Sequence, residues 1–190
     1  MADPLRLVAL CGSLRTASYN RMLLATLPAL APAGITIETL PWGHIPVYNG
    51  DLEIGGLPAD VLALQSRVRE SDGLIICTPE YNHSIPGALK NVLDWLSVGA
   101  SPHALYELPV AILGASNGTI GTTRSQAILR QTLAALNAPT MPFPQVLVAT
   151  AQKKFAEDGT LTDDGTREFV RTWLVAVERW MRRFPKPERG

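Results

Sequence analysis

Three short apolar runs, Leu5 to Cys11, Gly73 to Cys77 and Pro109 to Leu113, each end at a cluster of turn-forming residues, and each is followed by a helical pattern. A continuous apolar run bounded by such residues fits a strand buried on both faces. Strands that alternate with helices pair in parallel through right-handed crossovers, so this rhythm restricts the chain to a few α/β topologies. Two further strands complete the pattern. Ile35 to Leu40 alternates in character, and Met141 to Ala149 reads as a fifth strand although Pro142 and Pro144 suit only an edge or an irregular start.

Between them, helices are predicted over Asn20 to Leu30, Pro58 to Ser71, Pro86 to Leu96 and Thr122 to Leu136. A long final helix follows from the apolar stripe Phe169, Val170, Trp173, Leu174, Val177, Trp180, Met181 and Phe184. Pro41 to Pro58 has no sustained period and is expected to be a long ordered loop. The expected architecture is a three-layer α/β sandwich on a five-stranded parallel sheet in the order 2-1-3-4-5. Residues 1–190 are expected to form one domain.

In such a sheet the loops after strands one, three and four meet at the carboxyl edge, where this class of fold binds ligands. Lys plus Arg and Asp plus Glu are each 17, without any block of like charge, so the expected partner is a small molecule and neither nucleic acid nor membrane. Met1-Ala2-Asp3-Pro4 has no positive n-region and Arg6 breaks the apolar run behind it, which argues against a signal peptide. No apolar run approaches the roughly 20 residues of a membrane span. The two cysteines, Cys11 and Cys77, close apolar strands and are expected to be buried and reduced, as suits a cytoplasmic protein.

The first loop, Gly12 to Asn20, places Ser13, Arg15, Ser18 and Asn20 at a strand-to-helix turn. Free N–H groups and the positive helix end favour an anion there, and hydroxyls with a guanidinium add donors. The alternative for these residues is a plain N-cap and a solvated arginine. The loop lacks the Gly-Lys-Ser/Thr of a Walker sequence and the G-x-G-x-x-G spacing of a dinucleotide site. Arg15 stands four residues after Cys11, too close for the six-residue spacing of a cysteine phosphatase.

The second loop carries Pro79, Glu80, Tyr81 and Asn82, which form neither a nucleophile with its base nor a metal-ligand set, and which suit the edge of a flat heterocycle. His83 could contact cofactor or substrate, move a proton, or be structural. Ser116, Gly118 and Gly121 let the third loop approach a ligand, with Arg124 in the next helical turn. Trp42, Pro46, Tyr48 and Asn49 are read as a cavity wall or a subunit contact, with Tyr48 and Asn49 as candidate substrate residues. The scattered His and Cys residues give no metal-ligand spacing.

Gly12-Ser13-Leu14-Arg15 with Ser18 and Asn20, followed by Pro79-Glu80-Tyr81-Asn82-His83-Ser84-Ile85-Pro86-Gly87-Ala88-Leu89-Lys90-Asn91, strongly resembles the NADPH-dependent FMN reductase family. Ile45 to Asn49, Gly114-Ala115-Ser116 and Phe155 to Asp163 extend the resemblance over nearly the whole chain. It implies a flavodoxin-like fold, FMN as cofactor and NADPH as hydride donor, with NADH as the alternative donor. Ser13, Arg15, Ser18 and Asn20 would hold the FMN phosphate, Pro79, Glu80, Tyr81 and Asn82 would border the ring, and Ser116 would add a contact. The implied reaction is ping-pong transfer to a small acceptor such as a quinone, azo compound, chromate or free flavin. A homodimer or homotetramer is also implied, and no catalytic side chain is required. The rival readings are an FMN-binding electron carrier and a regulatory module without NADPH oxidation.

Overall fold

The computed structural model describes residues 3–185. Strands β1 (Leu5–Cys11), β2 (Ile35–Thr39), β3 (Gly73–Cys77), β4 (Val110–Ala115) and β5 (Val146–Val148) pair in parallel in the order β2-β1-β3-β4-β5. The expected topology is therefore observed, with β1 and β3 in register from Leu7↔Gly73 to Cys11↔Cys77. Their connections run in opposite directions from this pair, which places the β1 and β3 loops side by side at the carboxyl edge. The single-domain expectation covers residues 1–2 and 186–190 as well, and these lie outside the described residues.

Side-chain alternation sorts each strand into two cores. Leu7, Ala9 and Cys11 with Ile75 and Cys77 face α1 (Tyr19–Leu30) and α6 (Asp164–Met181), where they meet Leu23, Leu27, Trp173 and Val177. Val8 and Leu10 with Leu74 and Ile76 face α3 (Ala59–Glu70), α4 (Gly87–Leu96) and α5 (Thr123–Ala135), where they meet Val68, Leu89, Leu93 and Leu129. Each fully buried Leu or Val contributes roughly 1.5–3 kcal/mol, so burial on both faces holds the sheet's carboxyl edge rigid.

Several boundaries differ from expectation, β4 (Val110–Ala115 instead of Pro109 to Leu113) among them, and three differences have a clear physical reason. β5 holds only Val146–Val148 instead of Met141 to Ala149. The Met141 N–H already donates to the Val110 carbonyl and Val110↔Thr140 forms a bridge, but Pro142 and Pro144 have no N–H to carry the ladder forward. α6 starts at Asp164, before its apolar stripe, because Asp163 caps it through the Thr166 N–H at 2.9 Å. The loop over 41–58 contains one helical turn, α2 (Asp51–Ile54). Asn91 of α4 pins this loop by accepting from the Tyr48 N–H at 2.7 Å and donating to the Pro46 carbonyl at 2.9 Å.

Candidate functional site

The β1 strand ends where Gly12 passes tightly under β3: its N–H donates to the Cys77 carbonyl at 2.7 Å, and a Cβ there would sit 3.1 Å from Thr78 Cα and from Leu89. Ser13 is nearly fully buried, with its Oγ 3.3 Å from the Tyr81 hydroxyl. Ser18 is the N-cap of α1 and accepts from the Asn20 N–H at 3.2 Å. The first turn of α1 contains no acidic residue, so nothing in the helix neutralises its positive end. The Arg15 side chain stands exposed at the mouth of this loop.

Asn20 does something that its sequence position does not announce. Its Nδ2 donates to the Ala115 carbonyl at 2.8 Å, and its Oδ1 accepts from the Ala115 N–H at 2.9 Å. The side chain thus reproduces a strand partner for Ala115 and ties the first loop to the third. Asn20 was expected to donate to an anion, whereas its main bonds in the structure are to this backbone.

Glu80 also reaches across. Its Oε2 accepts from the backbone N–H groups of Arg124 and Ser125 at 2.9 and 3.2 Å. α5 has no side-chain bond from its own N-cap Thr122, and Glu80 supplies the missing acceptor and a negative charge at the helix start. Glu80 precedes α4 in the chain, but its carboxylate serves the start of α5. Asn82 (φ 50°) and His83 (φ 65°) occupy successive left-handed positions, closed by reciprocal Tyr81–Ser84 backbone bonds of 3.0 and 2.9 Å. This is a two-residue hairpin turn whose conformation favours Asn, Asp and Gly. In the third loop, Ser116 Oγ accepts from the Gly118 N–H at 3.1 Å, which fixes the chain before α5.

Together these loops enclose a cavity of about 220 Å³. Ser13, Arg15, Ser18, Asn20, Pro79, Glu80, Tyr81 and Ser116 all line it, joined by Tyr19, Ala115 and Asn117, which the sequence did not single out. Asn82 and His83 stand on the adjoining turn. Tyr48 and Asn49 are placed elsewhere: the Tyr48 hydroxyl donates to Glu53 at 2.7 Å, its ring meets Trp95 edge-on, and Asn49 Oδ1 accepts from the Asp51 N–H. A larger cavity of about 830 Å³, between Arg130, Asn137 and Phe184, opens at the sheet's amino edge and shares none of these loops. The ligand-binding position of this fold is the carboxyl edge, which favours the smaller cavity as the site.

Among the described residues, no group of three His, Cys, Asp or Glu is placed to hold a metal ion. Burial pushes the thiols of Cys11 and Cys77 up from their ordinary range, so both stay protonated near neutrality and neither is a nucleophile. The cavity therefore offers donors, an uncompensated helix end and an aromatic edge, which suit binding and orientation of a phosphorylated ring system.

A family model described as NADPH-dependent FMN reductase matches residues 5–153. The chain belongs to this family. It is similar to an NAD(P)H-dependent FMN reductase of Pseudomonas aeruginosa, 40% identical over 96% of this chain and 98% of the relative. A quinone reductase of Escherichia coli strain K12 is likewise 40% identical, with the same shares covered. The solved structure of FerB, a flavoenzyme NAD(P)H:(acceptor) oxidoreductase from Paracoccus denitrificans, superposes with a TM-score of 0.87 at 32% identity, over 95% of this chain and 98% of that one. Family membership makes the chain an oxidoreductase that works with FMN and NAD(P)H. The donor set of the first loop fits an FMN phosphate: two buried hydroxyls, a guanidinium, and a helix N-terminus without an acid.

Proposed function

We propose that this protein holds FMN at the β1, β3 and β4 loops and uses it to pass electrons from NAD(P)H to a small acceptor of the quinone class. The observation that carries this reading is the convergence of three loops on one cavity lined by Ser13, Arg15, Ser18, Tyr81 and Ser116. Bound FMN would supply the redox chemistry, accepting a hydride equivalent from NAD(P)H and releasing two electrons to an acceptor that enters afterwards. Ser13, Arg15 and Ser18 bind the phosphate, with the first turn of α1 behind them. Asn20 positions the third loop through Ala115 and contributes to the anion site only by its place in the cavity wall.

At about 220 Å³ the cavity takes part of a mononucleotide. The flavin ring would extend over the rim formed by Pro79, Glu80, Tyr81 and Asn82. Glu80 is held at that rim by the bonds of its carboxylate to the start of α5. Quinones are the favoured acceptors because relatives 40% and 33% identical are named quinone reductase and 2-hydroxy-1,4-benzoquinone reductase. A homodimer or homotetramer belongs to the same reading, supported by the exposed apolar side chains Val47 and Ile54 of the 41–58 loop and Tyr81 of the cavity wall. So does a single cytoplasmic domain, supported by two buried free thiols and by the absence, among the described residues, of a helix long and apolar enough to cross a membrane.

The deciding experiment records the visible spectrum of purified protein with FMN, before and after anaerobic NADPH. Bleaching of bound flavin is expected, with reoxidation by benzoquinone. Flavin that binds but does not bleach would point to an electron carrier, and no binding would overturn the cofactor site. Initial rates that give parallel double-reciprocal lines support one place used in turn; intersecting lines refute it.

A further inference from the structure

Behind Pro79 and Glu80, which line the cavity, two fully buried hydroxyls converge on one backbone oxygen. Thr78 Oγ1 donates to the Pro79 carbonyl at 2.9 Å, and Ser125 Oγ donates to the same carbonyl at 2.8 Å. The two hydroxyl oxygens lie 3.3 Å apart. A carbonyl oxygen has two lone pairs, so these donors fill its capacity. Both hydroxyls come from rigid elements. Thr78 continues the sheet beyond β3, with its N–H bonded to the Leu113 carbonyl at 2.9 Å, and Ser125 stands in the first turn of α5.

Buried hydroxyls need acceptors, and a purely structural role would end there. What distinguishes this pair is the peptide that it holds. The unit joining Pro79 to Glu80 is trans and planar, so its N–H points opposite to its carbonyl. With the carbonyl turned inward to Thr78 and Ser125, the Glu80 N–H is turned the other way, to the side where Pro79, Glu80 and Tyr81 line the cavity. Among the described residues, no acceptor bonds this N–H, whereas the Tyr81 N–H is taken by the Ser84 carbonyl at 3.0 Å. Two buried hydroxyls thus fix the direction of one unpaired donor at the rim.

We propose that Thr78 and Ser125 are positioning residues for the redox step: they lock the Pro79–Glu80 peptide with its N–H toward the flavin ring, and this raises the reduction potential of the bound flavin. This rests on the FMN reading above. Reduction adds an electron pair to the ring and increases the negative charge along its polar edge. A donor already fixed there favours the reduced form and needs no reorganisation as that charge develops. Without the hydroxyls the peptide is free to turn, and its dipole no longer discriminates between the two redox states.

The experiment measures the midpoint potential of bound FMN, by anaerobic reduction beside a reference dye, in the native chain, Thr78→Val, Ser125→Ala, the double variant and Thr78→Ser. Affinity for oxidised FMN is followed by flavin fluorescence, and folding by urea unfolding. Thr78→Val keeps the shape of the side chain and removes the hydroxyl, whereas Thr78→Ser keeps the hydroxyl. In the double variant reduced FMN should lose about tenfold in affinity relative to oxidised FMN, which lowers the two-electron midpoint by about 30 mV. Each single loss of a hydroxyl should show part of that shift, and Thr78→Ser should keep the native potential.

A native potential in the double variant with FMN bound overturns the proposal and leaves the hydroxyls a structural role alone. So does an equal fall in Thr78→Ser and Thr78→Val, which would show that the effect does not belong to the hydroxyl. The single variants decide in the same way if the double variant does not fold. A native chain that binds no FMN would overturn the flavin reading itself, an outcome distinct from bound FMN whose potential does not move.

Discussion

Replacing Asn20 tests how the site is held together. Its amide makes two bonds to the backbone of Ala115, at 2.8 and 2.9 Å, and both residues are 2% exposed. Asn20→Ala leaves a buried carbonyl and a buried N–H without partners, each costing about 1–3 kcal/mol, so the loss should be about 2–6 kcal/mol. That is a large share of the roughly 5–15 kcal/mol that stabilises a domain. Urea unfolding followed by tryptophan fluorescence should show a lowered midpoint with an unchanged slope. Asn20→Asp sharpens the test, because it sets a carboxylate oxygen where Nδ2 faces the Ala115 carbonyl. It should be at least as damaging as alanine near neutrality and should recover in acid, where a protonated carboxyl donates again. A loss below about 1 kcal/mol for Asn20→Ala would refute the clamp.

Arg15→Ala should weaken FMN binding by about 1.5–3 kcal/mol, toward the lower figure because the guanidinium is exposed; an unchanged dissociation constant by flavin fluorescence would remove Arg15 from the site. Gly114→Ala would place a Cβ 2.2 Å from the Thr78 carbonyl oxygen and 2.4 Å from Thr122 Oγ1, so the β3 and β4 ends must separate. An overpacking loss of about 1–3 kcal/mol is expected in urea unfolding, together with weaker FMN binding. The Thr166 hydroxyl and N–H, with Lys154, hold the Asp163 carboxyl down from 3.8 to about 2. Its contribution is fully present above 3.8 and is lost as the pH falls through about 2, so the stability gap between the native chain and Asp163→Asn should close over that acid window. A gap that does not change with pH would show that the charge is irrelevant to the cap.

The sheet was legible because each strand buried on both faces writes an uninterrupted apolar run, and β1, β3 and β4 have no other reading. β5 was the least legible: Met141 to Ala149 has strand-like content, and only the missing N–H groups of Pro142 and Pro144 decide how little of it pairs with β4. The start of α6 was written as Asp163 with Thr166 three residues on, a polar signal that an apolar stripe beginning at Phe169 conceals. Within the site, the residues lining the cavity were legible from strand-to-helix position. Their partners were not. Nothing local marks Asn20 for Ala115, or Glu80 for the start of α5, since both bonds join segments more than 40 residues apart. The left-handed Asn82-His83 turn lacks the glycine that usually signals one.

The brevity of β5 bears on how the molecule keeps its copies from stacking edge to edge. An open sheet ends in two rows of unpaired backbone groups, each a template for another strand. On one side that template is three residues long, preceded by two prolines that offer no N–H. On the other side β2 displays Thr36, Glu38 and Thr39 exposed, with Glu38 drawn into an ion pair with Arg67. Neither margin is a long apolar ribbon, so the sheet is terminated chemically as well as geometrically.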